Sequence, residues 1–285
     1  MNLFNNIVFD NKRCIGNLKT IIISHNNFMI ECFENDDMAN NIVKKNIQWE
    51  PHITKFIEIY NNRYDINNII DVGANFGYHS LLFSKYVKNN VYSFEPQSQN
   101  YDLLTNNIKY NNISNIITYN NACGDNIENI NMEIIDTTSN INMGDFTPNY
   151  INSNNYNTIK SILLDSIDFP KIDIIKIDVQ GWEIKVLHGA KIMIEKYKPI
   201  LIIEIESHQL AKTSSTCQQL IHIIREMGYY IYYLDYEYPS DHICVHTDNL
   251  DIFKKHFSNY IFEHTKNNNI NSNVDYNINK KLSVL

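Results

Sequence analysis

The run Asp71-Val72-Gly73-Ala74-Asn75-Phe76-Gly77 sets one carboxylate and two glycines where an apolar strand gives way to a helix. A glycine at such a point lets the backbone turn sharply and lets a ligand come close where a β-carbon would stand. In an open α/β sheet this is the ligand crevice, beyond the carboxyl ends of the strands. A dinucleotide fingerprint needs G-x-G-x-x-G, but residue 75 is Asn, which leaves G-x-x-x-G. Asp71 would also repel a pyrophosphate. The loop therefore points to a cofactor without a diphosphate, with Asp71, Gly73, Ala74, Asn75 and Gly77 as its candidate contacts. The same glycines would equally serve a plain strand-to-helix turn.

A second group supports a nucleoside. Glu95 lies 24 residues after Asp71, near the roughly 20-residue offset at which an acid reaches a ribose diol in nucleoside-binding folds. A carboxylate accepts from both ribose hydroxyls, so Glu95 and the adjoining Pro96 are candidate ribose contacts. After a third strand, Asp125 in Cys123-Gly124-Asp125 could accept from an exocyclic adenine amine, though an isolated Gly-Asp turn explains it as well.

Further acids and bases gather at two later strand ends. Asp178 closes an apolar strand, with Lys176 two residues earlier on the same face, and Gly181-Trp182-Glu183 then opens a helix. Glu183 falls in the first helical turn, where it would offset the helix dipole. Glu204 and Glu206 share a strand face with His208 just beyond. Such a set could hold a divalent ion only if its oxygens converge, and no metal is expected. Trp49-Glu50-Pro51 opens an earlier helix, where Glu50 is a candidate cofactor or substrate contact as well as a dipole partner. His79 follows the glycine loop, placed to touch the cofactor or to pack.

The elements that must position these groups alternate. Short strands are expected at Ile7–Phe9, Thr20–Ser24 and Phe28–Phe33, and a helix over 40–62 with Pro51 at a helix start. From residue 68 the pattern predicts strands at Asn68–Val72, Val91–Phe94, Ile116–Tyr119, Ile172–Val179 and Pro199–Ile205. Helices are predicted at Tyr78–Val87, Ser98–Tyr110, Trp182–Lys196 and Cys217–Met227. Residues 121–157 read as polar and irregular, with Met132–Ile135 as an extra strand. Tyr229–Leu234 and His242–His246 close the pattern as an antiparallel pair at one edge. The tyrosines that crowd the first of these fit a strand and turn. Alternation of this kind implies an α/β fold with a doubly wound, mostly parallel sheet and helices on both faces. The organisation is an N-terminal β extension over 1–45, a main domain over 46–263 and a flexible tail over 264–285.

Bulk properties narrow the partners. The 285 residues carry a formal charge of −8, which argues against a phosphate-backbone binder with a basic face. No nucleic-acid partner is expected. Five scattered cysteines without C-x-x-C spacing fit free thiols in a reducing compartment. No stretch approaches the roughly 18–20 apolar residues of a membrane span, and the first residues lack the plan of a signal peptide. The expected location is cytoplasmic and away from membranes.

Four separated segments in order carry a resemblance to a known family. They are Ile70–Ser80, Val91–Pro96, Leu164–Ile167 with Ile175–Glu183, and Lys198–Glu206. Across about residues 49–246 the chain resembles the FkbM family of S-adenosylmethionine-dependent O-methyltransferases. The resemblance implies a class I methyltransferase fold, a Rossmann-like sheet of seven strands. It also implies methyl transfer from S-adenosylmethionine to a hydroxyl, often on a sugar or polyketide. The expected acceptor is a sugar or glycan hydroxyl; RNA, protein or a small metabolite are alternatives, as is a non-catalytic cofactor-binding scaffold. One departure is Gln180, where the family usually carries Glu after Asp-Val.

Methyl transfer from a sulfonium is an in-line displacement, so the protein must align the acceptor oxygen and accept its proton. Asp178 is the expected general base or acceptor orienter, with Lys176 and Glu204 as companions; it could also cap the following helix. His208 is the second candidate base, because its unperturbed pKa lies near neutrality. Asp178 doubles as a cofactor contact, and Glu50 is a candidate for the cofactor's amino-acid end. The sequence leaves the oligomeric state open.

Overall fold

The computed structural model describes residues 8–9, 14–15, 18–40, 48–135, 142–151, 154–234, 240–257 and 262–263. The tail expected over 264–285, and Ile42 and Ile47 of the expected first helix, lie outside the described residues.

Four N-terminal strands come first: β1 (Val8–Phe9), β2 (Cys14–Ile15), β3 (Leu18–His25) and β4 (Phe28–Phe33). Strand β3 pairs antiparallel with the other three. Next come α1 (Pro51–Asn61), β5 (Ile66–Val72), α2 (Tyr78–Phe83), β6 (Val87–Phe94), α3 (Ser98–Tyr110) and β7 (Ile116–Tyr119). Three strands follow, β8 (Ala122–Cys123), β9 (Glu128–Glu133) and β10 (Tyr156–Ile162), and form a small sheet of their own. The chain then returns through β11 (Ile174–Ile177), α4 (Glu183–Gly189), α5 (Lys191–Tyr197), β12 (Ile200–Glu204), α6 (Ser207–Lys212) and α7 (Cys217–Glu226). It closes with β13 (Tyr229–Tyr233), β14 (Asp241–His246), α8 (Leu250–Phe257) and β15 (Phe262–Glu263).

The main sheet runs β15-β13-β14-β12-β11-β5-β6-β7. The five strands from β12 to β7 pair parallel, and β14 runs antiparallel to both of its neighbours. The expected antiparallel pair is present, but β14 is inserted between β12 and β13, and β15 adds an eighth strand outside them. The parallel strands are apolar almost throughout, as strands covered on both faces must be. On one face Ile69, Ile174, Ile202 and Val245 pack with α1, α2, α8 and the N-terminal strands. On the other, Ile70, Ile175, Leu201 and Ile231 pack with α4, α5, α7 and the small sheet.

Several boundaries differ from the sequence reading. Helix α2 ends at Phe83, and Val87 already belongs to β6. The expected Trp182–Lys196 helix breaks at Ala190 into α4 and α5. Asp165 of the Leu-Asp element explains the restart: its carboxylate accepts from the backbone N–H groups of Ile192 (2.9 Å) and Met193 (2.8 Å) in the first turn of α5. The stretch expected to be irregular holds β8, β9 and β10, and β10 pairs antiparallel with β9 from Tyr156↔Glu133 to Ser161↔Glu128. Helices α6 and α8 were not expected.

The N-terminal strands are fixed to the main sheet's side by an asparagine pair one turn apart, Asn107 on α3 and Asn111 at its C-terminal cap. Asn107 and Asn111 each donate to and accept from the backbone of β4, at Glu31 and Met29. The free edge of β4 is thereby satisfied by side chains, which answers the exposure of an unpaired strand edge.

Candidate active site

Strands β5 and β11 are neighbours, although the chain leaves β5 toward β7 and returns to β11 from the other direction. That reversal is the topological switch point where α/β sheets bind ligands. A cleft of about 270 Å³ opens there. It is lined by Asp71, Gly73, Ala74, Asn75, Glu95, Pro96, Lys176, Asp178, Glu204, His208 and Glu50, all of them candidates from the sequence. Gly77 and Asp125 are not in the lining. Gly77 opens α2 at φ 91, and a β-carbon there would stand 2.6 Å from Leu104 Cδ1, so its space is taken by packing on α3. Asp125 faces Lys185 at 3.5 Å.

The glycine loop wraps the end of β6. Gly73 and Ala74 both donate to the Phe94 carbonyl at 3.0 Å, and Asn75 N–H donates to Glu95 Oε2 at 2.8 Å. Asn75 stands at φ 51, so an asparagine takes the left-handed position a middle glycine would otherwise fill. Glu95 Oε1 accepts from Gln97 N–H at 2.8 Å. Each carboxylate oxygen retains a lone pair beyond its one backbone bond. Burial pushes the Glu95 carboxyl up to about 7, against the pull of the Gln97 and Asn75 amides.

Register aligns the chemistry along one face of the sheet. Lys176 is paired with Asp71 on one side and Ile202 on the other, and Asp71 with Ser93. Ser80 on α2 donates to Asp71 Oδ2 at 2.5 Å and lies 2.7 Å from Ser93 Oγ. Lys176 is buried in the middle of an Ile-Ile-Lys-Ile strand. Its ammonium donates to Asp178 Oδ2 at 2.9 Å. Burial alone would strip its proton, but Asp178, Asp71 and Glu50 hold it charged, above the ordinary lysine range. Burial likewise opposes ionisation of Asp178, yet Lys176 and the amide of Gln180 bring its carboxyl below the usual range.

Gln180 is the residue whose role sequence reasoning missed. Its single amide nitrogen donates to Asp178 Oδ1 (2.9 Å) and to Glu204 Oε2 (2.8 Å), with the backbone held at φ 54. An amide carries two N–H donors and no charge, whereas a glutamate here would add a third carboxylate. Thr147 in the loop over the cleft donates to the Gln180 carbonyl at 2.5 Å. Asp145 of the same loop accepts from Gln209 and Lys212 of α6. His208 sits at the mouth, its side chain 65% exposed and 3.1 Å from Glu206. Glu183 accepts from Gly181 N–H at 3.0 Å, so it closes the turn before α4.

Two histidine–carboxylate pairs flank this set from α1 and α2. His79 Nε2 lies 2.8 Å from Glu50 Oε2, and His52 Nε2 lies 2.5 Å from Asp241 Oδ2. The latter pair joins residues 189 apart in sequence. Glu50 does not cap α1 with its side chain.

The acids here make stability depend on pH. Burial first, then neighbouring carboxylates, raise Glu204 well above its ordinary range and Asp241 to about 6, against His52. Burial also raises Glu183 to about 7. With Glu95, these four bind protons more tightly folded than unfolded. Their contribution is full below about pH 4, the unfolded value; for Glu95, Glu183 and Asp241 it is lost as pH rises through about 6–7, and Glu204 acts in the same direction. Buried His25 and partly buried His246 pull the opposite way below about pH 6.5, since desolvation lowers both. The carboxylates outnumber them, so Tm is expected to be higher at pH 5.5 than at pH 8.5. Thermal melts across that range check this, and a Tm that rises toward pH 8.5 would contradict it.

Five buried polar atoms of lining residues have no hydrogen-bond partner among the described residues: Asp71 Oδ1, His79 Nδ1, Asn100 Oδ1, Trp182 Nε1 and Gln209 Oε1. Each such atom costs about 1–3 kcal/mol when left unsatisfied, and a polar ligand removes that cost. Among the described residues no group of three or more His, Cys, Asp or Glu is arranged to hold a metal ion.

The Methyltransferase FkbM domain profile matches residues 71–231, more than half of the chain. The chain belongs to the FkbM methyltransferase family. It is thus an S-adenosylmethionine-dependent methyltransferase with the class I fold. No curated protein sequence matches this FkbM methyltransferase. Among solved structures it is similar to methyltransferase FkbM from Methylobacillus flagellatus KT, at 19% identity and TM-score 0.45 over 64% of this chain and 44% of that one. It therefore spans less than half the length of the Methylobacillus protein. It is also similar to SMU.1697c from Streptococcus mutans, solved with SAH, at 12% identity and TM-score 0.43 over 70% of this chain and 97% of that one. A third is M. jannaschii TYW2 in complex with AdoMet, at 14% identity and TM-score 0.37 over 84% and 90%. The residues of this FkbM methyltransferase suit the cofactor: the unpartnered acceptor Asp71 Oδ1 matches an ammonium, and the remaining lone pairs of Glu95 match a ribose diol.

Proposed function

We propose that this protein methylates a hydroxyl of a sugar or glycan. The donor would lie along Asp71, Gly73, Ala74, Asn75, Glu95 and Pro96, with Asp178 at its reactive end. When bound, S-adenosylmethionine supplies an electrophilic methyl group on a sulfonium. The supporting observation is the pair Asp178 and Glu204, drawn together by one Gln180 amide nitrogen on the floor of the cleft. Paired carboxyl groups accept from and donate to adjacent hydroxyls, so they suit a polyol. They position an acceptor oxygen and exclude free rotation about it, which is where much of such a rate gain arises. Lys176 keeps Asp178 ionised, and His208 meets the acceptor at the mouth.

Charge favours an unphosphorylated acceptor over RNA or a nucleotide. Among the described residues the lining holds seven carboxylates and one lysine. No helix of the described residues is long and apolar enough to cross a membrane. Cys32, Cys123 and Cys244 are buried thiols, and with the acidic balance they support a cytoplasmic setting.

Transfer of labelled methyl to a panel of short glycans, nucleotide sugars, RNA and protein tests the acceptor. Label is expected on glycans; label on RNA or protein alone would overturn the reading. Gln180→Glu places a third carboxylate between Asp178 and Glu204 and removes both donors. It is expected to lower kcat about tenfold or more through the lost positioning bonds. The deficit should shrink as pH falls and the cluster takes up protons, and a pH-independent change would count against the bridge.

A further inference from the structure

His79 is the unassigned group of the cleft. Its Nε2 is engaged by Glu50, while its Nδ1 is buried with no hydrogen-bond partner among the described residues. Both side chains line the cleft. Glu50 takes φ 41 at the residue before α1, an uncommon conformation for a residue other than glycine. Its carboxylate is bonded to His79 instead of the helix end. The imidazole is braced as well as bonded. Phe83 stacks on it with centroids 5.7 Å apart, and the neighbouring Tyr78 hydroxyl accepts from Trp49 N–H at 3.2 Å. An ionised carboxylate at Nε2 selects the tautomer with the proton there, which leaves the lone pair on Nδ1.

Asp178, Glu204 and His208, the bases expected from the sequence, are each engaged by a neighbour. Asp178 accepts from Lys176 at one oxygen and from Gln180 at the other. Burial and neighbouring carboxylates drive Glu204 toward its protonated form. His208 is largely in solvent and paired with Glu206.

We infer that the His79 imidazole, oriented by Glu50, takes the proton of the acceptor hydroxyl during methyl transfer. Asp178 then orients the acceptor and leaves the proton to His79. As the hydroxyl's O–H bond breaks, Nδ1 gains the proton, and the oxygen's electron pair forms the new O–C bond. The C–S bond breaks with its pair left on sulfur, so the step needs no oxidant or reductant. Glu50 faces the imidazolium across Nε2 and stabilises it until the proton passes to solvent. This inference rests on the donor and acceptor class proposed above.

Sinefungin carries an amine where the donor carries its methyl, so it reports on this position without any acceptor. Calorimetric titration of wild type and His79→Ala with sinefungin and with S-adenosylhomocysteine is the test. His79→Ala is expected to lose about tenfold or more in sinefungin affinity and no more than about twofold in S-adenosylhomocysteine affinity. Equal losses for both ligands, or no loss for either, would overturn the role of His79. If His79→Ala does not fold, the wild-type imidazole ¹⁵N spectrum decides. The expected Nδ1 signal is that of an unprotonated nitrogen that shifts with sinefungin and not with S-adenosylhomocysteine. A protonated or unresponsive Nδ1 would overturn the inference. Wild-type protein that binds neither ligand would instead bring down the donor assignment itself, and this inference with it.

Discussion

Gly73→Ala is expected to abolish donor binding and to destabilise the fold by more than about 4 kcal/mol, in the range reserved for severe local disruption. Gly73 stands at φ 86, and a β-carbon there would lie 1.8 Å from the Asp178 carbonyl oxygen. The obstacle is backbone, so no side-chain rotation relieves it. That carbonyl belongs to the residue whose N–H donates to Val72 at the end of β5. Displacing it would pull Asp178 from Lys176 and Gln180 together. The loop cannot retreat either, because Gly73 and Ala74 are both tied to Phe94. A fall in Tm of roughly 10 °C is expected for a chain of this size, with no heat on titration with S-adenosylhomocysteine. A variant that melts within a degree or two of wild type and still binds would show that β5 and β11 are not in this contact.

Lys176→Met should be the next most damaging change. The ammonium is buried and serves Asp178 directly, with Asp71 and Glu50 within its field. Removing one member of a buried ion pair costs about 3–5 kcal/mol, and Asp178 would keep only the Gln180 amide in place of the ammonium. The deficit has a sign in pH. Without Lys176, burial would raise the Asp178 carboxyl above its unfolded value of about 4. The variant's deficit should therefore be least near pH 4 and grow as pH rises. The double variant Lys176→Met with Asp178→Leu removes both charges and should recover much of the lost stability. Urea unfolding at pH 5 and pH 8 measures all three terms. A single variant within about 1 kcal/mol of wild type at pH 8 would mean that the pair is solvated.

The parts of the site that sequence made legible are those set by local rules. The apolar run ending at Asp71, the two glycines and the offset to Glu95 depend on strand period and turn chemistry, and all but Gly77 reach the cleft. Asp178 and Lys176 share a face because strand side chains alternate. Glu204 follows from the same alternation on the next strand. Asp125 did not reach the lining because a Gly-Asp turn has the same spelling whether it faces a ligand or a lysine. Helix α6 was hidden because it starts immediately after the acidic end of β12 without a capping side chain. Strand β10 was hidden in an Asn-rich stretch, though its burial alternates almost residue by residue.

What stayed out of reach was convergence. Gln180 bridges carboxylates 2 and 24 residues away through a left-handed backbone that no propensity rule assigns to glutamine. Glu50 meets His79 only because its own backbone turns at φ 41 and the α1 and α2 termini face one cleft. The Asp241–His52 pair closes across 189 residues. Each depends on tertiary placement, and a periodic pattern carries no record of it.

The central claim is that the cleft between the Gly73 loop and Glu95 holds the methyl donor. Calorimetric titration of S-adenosylhomocysteine into wild type and Glu95→Ala, with NAD as comparator, tests it most directly. One S-adenosylhomocysteine site is expected on wild type, weakened about tenfold or more in Glu95→Ala by loss of the ribose bonds, with no heat from NAD. Heat from NAD alone, or S-adenosylhomocysteine binding that Glu95→Ala leaves untouched, would contradict it.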